Sequence, residues 1–367
     1  SKKEITELYT MDANRILVTG SCGTVGSGLV DYLIKYYNEA EVYCLDNNES
    51  QLFFQEQEYL SNARVKFLLG DIRDLERMRA AMQGVDIVFH TAALKHVVMC
   101  ERSPMDSVQS NILGVNHIVQ AASEANVKKV IFTSSDKAVN PTNVMGTTKL
   151  MGERLITAAN ANQLIGNTIF ASTRFGNVLG SNGSVIPIFR RQIEMGGPIT
   201  LTDPEMTRFV MSIDQAVKLL VESAEMAQGG EVFVTKMPVI KISDLARVMI
   251  EELASVYGHD ADSIEITEIG CKPGEKLYEE LMSDEETRRA VELRDYFSVL
   301  PAFRGLYRDI DYNYESKISD DVSNPYISQE EPALSYGDLK LFLKKYNLLS
   351  NLEKIEPGQR YWPGDKS

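Results

Sequence analysis

The sequence lacks the long apolar segments of membrane proteins. No apolar run in the 367 residues approaches the roughly 20 that a membrane-spanning helix requires. The first residues, SKKEITELYTMDAN, are polar and lack the apolar core of a signal peptide. We therefore expect a cytoplasmic protein with no membrane partner.

The chain is also poor in cysteine and histidine, and neither type forms a metal motif. The cysteines are scattered, with no C-x-x-C pair and no histidine at ligand spacing: Cys22, Cys44, Cys100 and Cys271. The histidines are equally dispersed: His90, His96, His117 and His259. We expect reduced thiols, no disulfide framework and no metal site.

Basic charge is scarce as well. Lys and Arg number 38 against 52 Asp and Glu, which gives a net charge of −14. Such a surface repels nucleic acid, so we expect no nucleic-acid partner, and an anionic substrate would need a local basic pocket. The apolar fraction of 44% and charged fraction of 25% are typical of a globular protein.

Short apolar runs alternate with amphipathic stretches over the first two-thirds of the chain. The runs with the character of buried strands are RILVTG (15–20), EVYCLD (41–46), VKFLLGD (65–71), DIVFHTAA (86–93), KKVIFTSS (128–135) and NTIFASTRFGNV (167–178). Helical patterns such as VGSGLVDYLIKYYN (25–38) lie between them. This alternation predicts an α/β fold, a Rossmann-type doubly wound parallel sheet with right-handed crossovers.

The pattern changes at about Val178, where turn-rich segments, short strands and two helical stretches predict a smaller mixed α/β lobe. We expect an N-terminal extension (1–14), a dinucleotide-binding domain with later returning segments (15–177), an interleaved substrate-binding lobe (178–308) and a C-terminal arm and helix (309–367). The polar stretch from Asp309 to Leu334 predicts a loosely packed arm, and SYGDLKLFLKKYNLL (335–349) predicts a terminal helix.

Three glycines follow the first predicted strand in VTGSCGTVGSGLV. Gly20 allows a tight turn, Gly23 lets the backbone approach a pyrophosphate, and Gly26 lets helix and strand pack closely. The helix that starts at Thr24 and Val25 offers free N–H groups and a partial positive charge. An ordinary strand-to-helix turn could show three glycines, but this context indicates dinucleotide binding.

A carboxylate ends the second predicted strand, 20 residues after Gly26. Asp46 is placed to accept hydrogen bonds from ribose hydroxyls and to repel a 2′-phosphate, so we expect NAD rather than NADP, although Asp46 could also cap a turn. Asp71 and Ile72 are candidates for the adenine, and a plain strand-end aspartate fits equally well. Further cofactor candidates follow the fourth strand or lie on the next helix: Ala92, Ala93, Lys95 and Asn111.

The stretch SSDKAVNPTNVMGTTK (134–149) follows the fifth predicted strand. Open α/β sheets bind ligands outside the carboxyl ends of their strands, so Ser135, Asp136 and Lys137 emerge where a nicotinamide should lie. Met145 and Lys149 are four residues apart and share one helix face, from which Lys149 can reach the nicotinamide ribose. A surface Asp–Lys pair and a core methionine are the alternative interpretations.

The sequence resembles the extended short-chain dehydrogenase/reductase family, and within it the UDP-N-acetylglucosamine 4,6-dehydratases. The resemblance rests on the glycine motif, TAALKHV (91–97), SSDKAVNPTNVMGTTK, STRFGNVLGSNGSVIPIF (172–189), DPEMTRF (203–209) and KPGEKLYEEL (272–281). These motifs span roughly residues 15 to 285. Some members have Tyr at the position of Met145, and a Met-containing branch of the polysaccharide-biosynthesis dehydratases matches this chain.

The resemblance implies C4 oxidation of the sugar, elimination of water across C5 and C6, and hydride return to C6. It makes Lys137 the C5 base and Asp136 the C6 acid. A lysine base must be neutral, and we expect burial and the charge of Lys149 to lower the pKa of Lys137. Without a tyrosine, the C4 hydroxyl proton could pass to Asp136, to Lys137 or to a water held by Lys149.

A UDP-sugar carries a diphosphate that needs cations, and Arg208 and Lys272 are candidates that lie in these motifs. Arg174 is a poorer candidate because it lies in an apolar strand. The resemblance implies that Asn177 contacts the diphosphate or sugar and that Glu275 contacts ribose hydroxyls. Lys95 and His96 are candidates for the sugar or cofactor pocket, and a structural role for His96 fits equally well.

Two other functions compete with the dehydratase. A nucleotide-sugar C4-epimerase, or a dehydratase of another nucleotide sugar, would use the same cofactor, but an epimerase needs no C5 base. A non-catalytic NAD-binding regulator could dispense with Lys137 and Lys149. The family resemblance also implies a homo-oligomer, and its Met-containing branch implies retention of configuration at C5.

Overall fold

The computed structural model describes residues 13–161, 167–181, 184–270, 275–303 and 310–350. Its strands are β1 (Arg15–Thr19), β2 (Glu41–Asp46), β3 (Val65–Leu69), β4 (Ile87–His90), β5 (Lys129–Ser135), β6 (Ile169–Phe175), β7 (Asn177–Val178), β8 (Ile199–Leu201), β9 (Thr207–Met211), β10 (Val232–Thr235), β11 (Val239–Lys241), β12 (Ile266–Glu268), β13 (Glu280–Met282), β14 (Ala290–Leu293), β15 (Tyr296–Val299), β16 (Lys317–Ser319) and β17 (Tyr326–Ile327).

Helices flank these strands. They are α1 (Thr24–Tyr36), α2 (Glu49–Glu58), α3 (Leu75–Ala81), α4 (Val97–Arg102), α5 (Pro104–Val108), α6 (Gly114–Glu124), α7 (Val144–Ala161), α8 (Val185–Glu194), α9 (Ile213–Met226), α10 (Ile242–Leu253), α11 (Asp284–Thr287) and α12 (Tyr336–Lys345). A π-helix, Gln109–Leu113, leads into α6. No helix within the described ranges is long and apolar enough to cross a membrane.

One ten-stranded sheet organises the fold, in the order β16-β14-β15-β10-β6-β5-β4-β1-β2-β3. Neighbours from β3 to β10 pair in parallel. The remaining strands, β15, β14 and β16, add an antiparallel extension. Strand order reverses between β1 and β4, which is where doubly wound sheets bind ligands. The predicted α/β doubly wound fold is confirmed.

Both faces of the sheet are buried, as the near-continuous apolar strands predict. Side chains alternate between faces along β1: Ile16 packs in a core with α1 and α9, whereas Leu17 packs in a second core with α3 and α6. This two-sided burial holds the carboxyl ends of the central strands at fixed positions relative to one another.

A smaller assembly follows β6. Strands β7, β9 and β11 form a three-stranded sheet, and a further apolar core joins α8, α10 and α12. Strands β10, β14 and β15 arise from the range that we assigned to the substrate-binding lobe, yet they hydrogen-bond into the main sheet. The chain therefore passes back and forth between the two assemblies.

The predicted loose packing of the polar C-terminal arm is wrong for its described residues. Tyr314 and Tyr326 are buried in the main core. The Tyr326 hydroxyl donates to the Met237 carbonyl and accepts from the Met237 N–H. A few buried tyrosines with satisfied hydroxyls anchor a segment whose average composition is polar. The predicted terminal helix is present as α12.

Candidate active site

A cleft of about 610 Å³ opens at the carboxyl ends of β1, β4, β5 and β6. Most of the candidates selected from the sequence line it: Gly20, Gly23, Thr24, Val25, Gly26, Asp46, Asp71, Ile72, Ala92, Ala93, Lys95, His96, Ser135, Asp136, Lys137, Met145, Lys149 and Asn177. The fold thus gathers segments separated by up to about 150 residues into one cavity. Among the described residues, no cluster of His, Cys, Asp and Glu is placed to hold a metal ion.

The glycine loop is shaped for close backbone approach. Gly20 has a φ of +70°, and a Cβ on Gly26 would lie 2.1 Å from the Gly20 carbonyl oxygen. No side chain caps the N-terminus of α1. Its first N–H groups therefore stay available to an anion in the cleft, where the helix dipole adds a favourable field.

Two carboxylates border the far end of the cleft. Asp46 accepts a hydrogen bond from the Cys22 N–H at 3.0 Å through Oδ2 and one from the Asn48 N–H at 2.9 Å through Oδ1, so it fixes the glycine loop to the end of β2. The Asp71 carboxylate is engaged by the Arg73 guanidinium at 2.7 Å. Those hydrogen bonds from Arg73 lower the pKa of Asp71.

A short 3₁₀ helix, Asp136–Ala138, continues from β5 and presents the catalytic candidates. The Ser135 hydroxyl accepts from the Lys137 N–H and donates to Asp136 Oδ1 at 2.7 Å. Lys137 Nζ lies 3.1 Å from Asp136 Oδ2. The Asp136 carboxylate is almost fully buried, whereas the Lys137 side chain is 32% exposed. One turn therefore holds a carboxyl group and an amino group side by side on the cleft wall.

The expected lowering of the Lys137 pKa is wrong for the protein without substrate. Burial lowers this pKa, but the charges of Asp136 and Glu279 outweigh burial, and the net shift is upward. Burial likewise raises the pKa of Asp136, but the Lys137 charge and the Ser135 hydrogen bond outweigh it, and the net shift is downward. The resting pair is an ammonium and a carboxylate.

Helix α7 contributes Met145 and Lys149. Lys149 is buried, donates from Nζ to the Thr133 carbonyl at 2.8 Å, and lies 4.8 Å from the centre of the Phe132 ring. Burial lowers the pKa of Lys149 to about 8. Met145 is also buried at the edge of the cleft and supplies an apolar surface without a titratable group.

Asn111 is a cofactor candidate that does not line the cleft. Its amide accepts from the Leu94 N–H and donates to the Leu94 carbonyl, both at 2.9 Å, and donates to Thr148 Oγ1 at 3.0 Å. The residue lies in the π-helix, which the sequence pattern did not predict. Asn111 therefore shapes the loop of Ala92 to Lys95 from behind.

The residues selected for the diphosphate are arranged differently from expectation. Lys272 lies outside the described residues. Arg208 does not line the cleft, because its guanidinium donates to the backbone carbonyls of residues 207, 276 and 277. Glu275 lies 3.9 Å from Arg208 Nη2, and Asn177 donates to Glu279 at 2.7 Å. Arg208 thus fixes the 275–279 segment of its own chain.

Glu279 is the residue of this region that sequence reasoning missed. It immediately precedes β13, is buried, and lies 3.8 Å from Lys137 Nζ. Burial raises its pKa to about 7, and the negative charge of Asp136 adds to the shift. It belongs to the KPGEKLYEEL motif, but adjacent glutamates in a polar motif give no sign of which one faces inward.

A second buried ionic network lies behind α7. The Arg174 guanidinium forms two hydrogen bonds with Glu153 and two with Glu286, at 2.7–2.8 Å. Glu153 is four residues beyond Lys149 on α7, and Glu286 lies on α11. Arg174 therefore joins β6 to the helix carrying Lys149 and to the late segment carrying Glu279, outside the cleft.

The sequence and the fold of this chain match those of known proteins. The family model described as "Polysaccharide biosynthesis protein" matches residues 16–301. A solved structure described as Pen from Bacillus thuringiensis superposes with a TM-score of 0.84 at 40% identity, covering 92% of this chain and 98% of that one.

Three relatives are similar to this chain over most of their length. An uncharacterized membrane protein of Methanocaldococcus jannaschii is 45% identical over 91% of this chain and 96% of its own. A UDP-N-acetylglucosamine 4,6-dehydratase (inverting) of Campylobacter jejuni is 36% identical over 86% and 93%. A UDP-glucose 4-epimerase of Rickettsia conorii is 38% identical over 89% and 94%. The relatives thus include both dehydratases and epimerases that act on nucleotide sugars.

Proposed function

Since the chain belongs to the polysaccharide biosynthesis protein family of extended short-chain dehydrogenases/reductases, with nucleotide-sugar dehydratases and epimerases as relatives, we propose that it is an NAD-dependent 4,6-dehydratase. Its proposed substrate is UDP-N-acetylglucosamine, and its product a UDP-2-acetamido-4-keto-2,6-dideoxyhexose. The adjacent Asp136 and Lys137, held 3.1 Å apart on the cleft wall, are the observation that carries this proposal.

The cleft suits a dinucleotide. A Cβ at Gly26 would collide with the Gly20 carbonyl, so the sequence keeps the loop tight beneath the open N-terminus of α1. Asp46 favours a free 2′-hydroxyl, and residues 47–50, NNES, provide no cation for a 2′-phosphate. Bound NAD would supply the acceptor and later the donor of the hydride that passes from C4 to C6.

The Asp136–Lys137 pair supplies the acid and the base of the elimination. Transfer of a proton from Lys137 Nζ to the Asp136 carboxylate gives a neutral amine beside a neutral carboxylic acid. The amine then takes the C5 proton, and the acid gives its proton to the leaving C6 hydroxyl, which departs as water. This elimination leaves an ammonium and a carboxylate. The ammonium then returns a proton to C5 as C6 is reduced, and the proton lost from the C4 hydroxyl on oxidation restores the resting pair.

UDP-glucose 4-epimerase is a second candidate, favoured by the Rickettsia relative at 38% identity. Epimerisation at C4 requires oxidation and re-reduction of one carbon, with no proton removed from C5. The buried, hydrogen-bonded Asp136–Lys137 pair would have no task in that reaction. The dehydratase uses both residues, and for that reason we favour it.

The test is incubation with UDP-N-acetylglucosamine in deuterated water, with and without added NAD, followed by NMR. A 4-keto-6-deoxy product with one deuterium at C5 supports the dehydratase, and its C5 coupling constants report retention or inversion. Formation of UDP-N-acetylgalactosamine without deuterium identifies the epimerase. No reaction with UDP-, GDP- or dTDP-sugars favours the regulator.

Matched variants assign the acid and the base. Lys137→Met and Asp136→Asn should each reduce dehydration at least 100-fold, because general acid–base groups contribute about 10²–10⁴-fold. The exposed Lys66→Met serves as the control. Near-wild-type turnover in both site variants would contradict the assignment. The homo-oligomeric state and cytoplasmic location stay predictions.

A further inference from the structure

Glu279 provides a third titratable group at the proposed acid–base pair. Its Oε1 lies 3.8 Å from Lys137 Nζ, and the same Nζ lies 3.1 Å from Asp136 Oδ2. Two carboxylates that approach one ammonium repel each other, and the negative charge of Asp136 accordingly raises the pKa of Glu279. This arrangement favours a proton on Glu279, beside the Asp136 carboxylate and the Lys137 ammonium.

The Glu279 carboxyl is held in one orientation. Its Oε2 accepts from Asn177 Nδ2 at 2.7 Å and from the Phe209 N–H at 3.2 Å. Arg208 Nε lies 3.3 Å from Oε1. This fixed orientation keeps Oε1 directed at the acid–base pair.

The charged groups that face Glu279 come from two elements. Asp136 and Lys137 lie on the 3₁₀ helix after β5, and Arg208 lies on β9 with Glu275 behind it. Burial raises the pKa of Glu279 to about 7, and Asp136 adds to that shift, while the charges of Arg208 and Lys137 oppose it. Glu279 therefore changes charge in the neutral range.

We infer that Glu279 is a positioning residue whose proton permits the transfer from Lys137 to Asp136. When Glu279 is neutral, Lys137 faces one carboxylate and can give up its proton to it. When Glu279 is ionised, two carboxylates hold the ammonium, and the neutral amine needed at C5 does not form. This inference rests on the proposed dehydratase function and assigns the regulation of that same site.

The pH dependence follows from the sign of this effect. The active arrangement requires protonated Glu279, so the dehydration step should weaken as pH rises through about 7. Above that pH the rate of dehydration should fall by up to tenfold per pH unit, as expected when one required proton is lost. It should appear in kcat/KM, which reports the free enzyme.

Glu279→Gln separates this role from a purely structural one. The amide keeps the side-chain length and the oxygen that accepts from Asn177 and Phe209, and its NH₂ takes the position of Oε1 beside the acid–base pair. Because the amide never ionises, the fall in kcat/KM above pH 7 should disappear. Glu279→Asp keeps a titratable carboxyl and should restore a pH-dependent fall.

The first experiment compares kcat/KM against pH for the wild type, Glu279→Gln and Glu279→Asp. An unchanged fall in Glu279→Gln overturns the inference, and so does an amide variant inactive at every pH, since the amide mimics the protonated acid. If the wild type dehydrates no nucleotide sugar, the proposed function fails instead.

The second experiment needs no substrate. The infrared difference spectrum between the wild type and Glu279→Gln should show a protonated-carboxyl band that titrates near pH 7, and the subtraction removes the band of Glu225, whose pKa burial also raises to about 7. Its presence supports a proton on Glu279 whether or not the reaction is the one proposed. Absence of the band in a folded wild-type protein overturns the inference even if dehydration is observed.

Discussion

Arg174 offers the sharpest test of the energetics of this fold. Replacing it with Met keeps an unbranched side chain but removes four charge-assisted hydrogen bonds to Glu153 and Glu286, and one to the Leu281 carbonyl. Arg174 is 1% exposed, and both carboxylates are buried with it. Arg289 lies 3.7 Å from Glu286, but the Glu153 carboxylate has no ion pair other than that with Arg174 among the described residues.

Two independent arguments give the size of the effect. Breaking a buried ion pair from one side costs about 3–5 kcal/mol, because it leaves an uncompensated buried charge. Burial alone would raise the pKa of Glu286, yet Arg174, with smaller effects of the Ser283 backbone and of Arg289, outweighs burial and holds this pKa at about 2, against an ordinary value of 4.5. A depression of this size corresponds to about 3 kcal/mol of stability. We expect Arg174→Met to lower the free energy of unfolding by about 3–4 kcal/mol at pH 7.

The same network makes the free energy of unfolding depend on pH. Because the folded-state pKa of Glu286 is depressed, its contribution to stability is complete above the unfolded value of 4.5 and is lost as pH falls toward 2. The difference in stability between the wild type and Arg174→Met should therefore shrink over that range. At pH 7 the difference should be largest.

Urea unfolding followed by circular dichroism measures the free energy directly. Arg294→Met removes a guanidinium from an exposed pair with Asp295 and should change stability little. Combining Arg174→Met with Glu153→Gln and Glu286→Gln removes the three charges of this network, leaves Arg289 paired with Glu285, and should recover much of the loss. A loss below about 1 kcal/mol in the single variant would refute the reasoning.

Two further predictions concern the cofactor cleft. Gly26→Ala should weaken NAD binding at least tenfold in calorimetric titration, because its Cβ would lie 2.1 Å from the Gly20 carbonyl oxygen and displace the loop; normal affinity would show that the loop can relax. The affinity of the wild type for NAD should fall as pH rises above about 8, where Lys149 loses its charge. The Lys149→Met variant should bind NAD weakly at every pH. If its affinity for NAD still fell above pH 8, the titrating group would be a residue other than Lys149.

Local sequence patterns were enough to predict the central sheet and the position of the cleft. Alternating apolar strands and amphipathic helices predict a doubly wound sheet because each element carries its own period and the crossover rule leaves few topologies. The placement of Asp136 and Lys137 at the cleft follows from the same rule, since they come directly after β5. These inferences need only neighbours in sequence.

The charge state of the pair could not be predicted in this way. The pKa of Lys137 depends on Glu279, which lies more than a hundred residues later and reaches the site only through the packing of β9 and β13. The expectation considered burial and Lys149, and omitted the carboxylate that dominates with Asp136. Buried charges that are far apart in sequence become neighbours only in the folded protein. A single sequence therefore does not show which of them will pair.

The return of late strands to the main sheet has a consequence for synthesis of the protein. Strand β6 is complete at Phe175, but its neighbour β10 begins at Val232, and β14 and β15 end at Val299. At a synthesis rate of about 5–20 residues per second, the edge of β6 stays unpaired for several seconds before β10 has been synthesised. During that interval Arg174 has Glu153 but not Glu286. The nascent chain therefore passes through a stage with a formed nucleotide loop and an open sheet edge, the kind of species that chaperones bind.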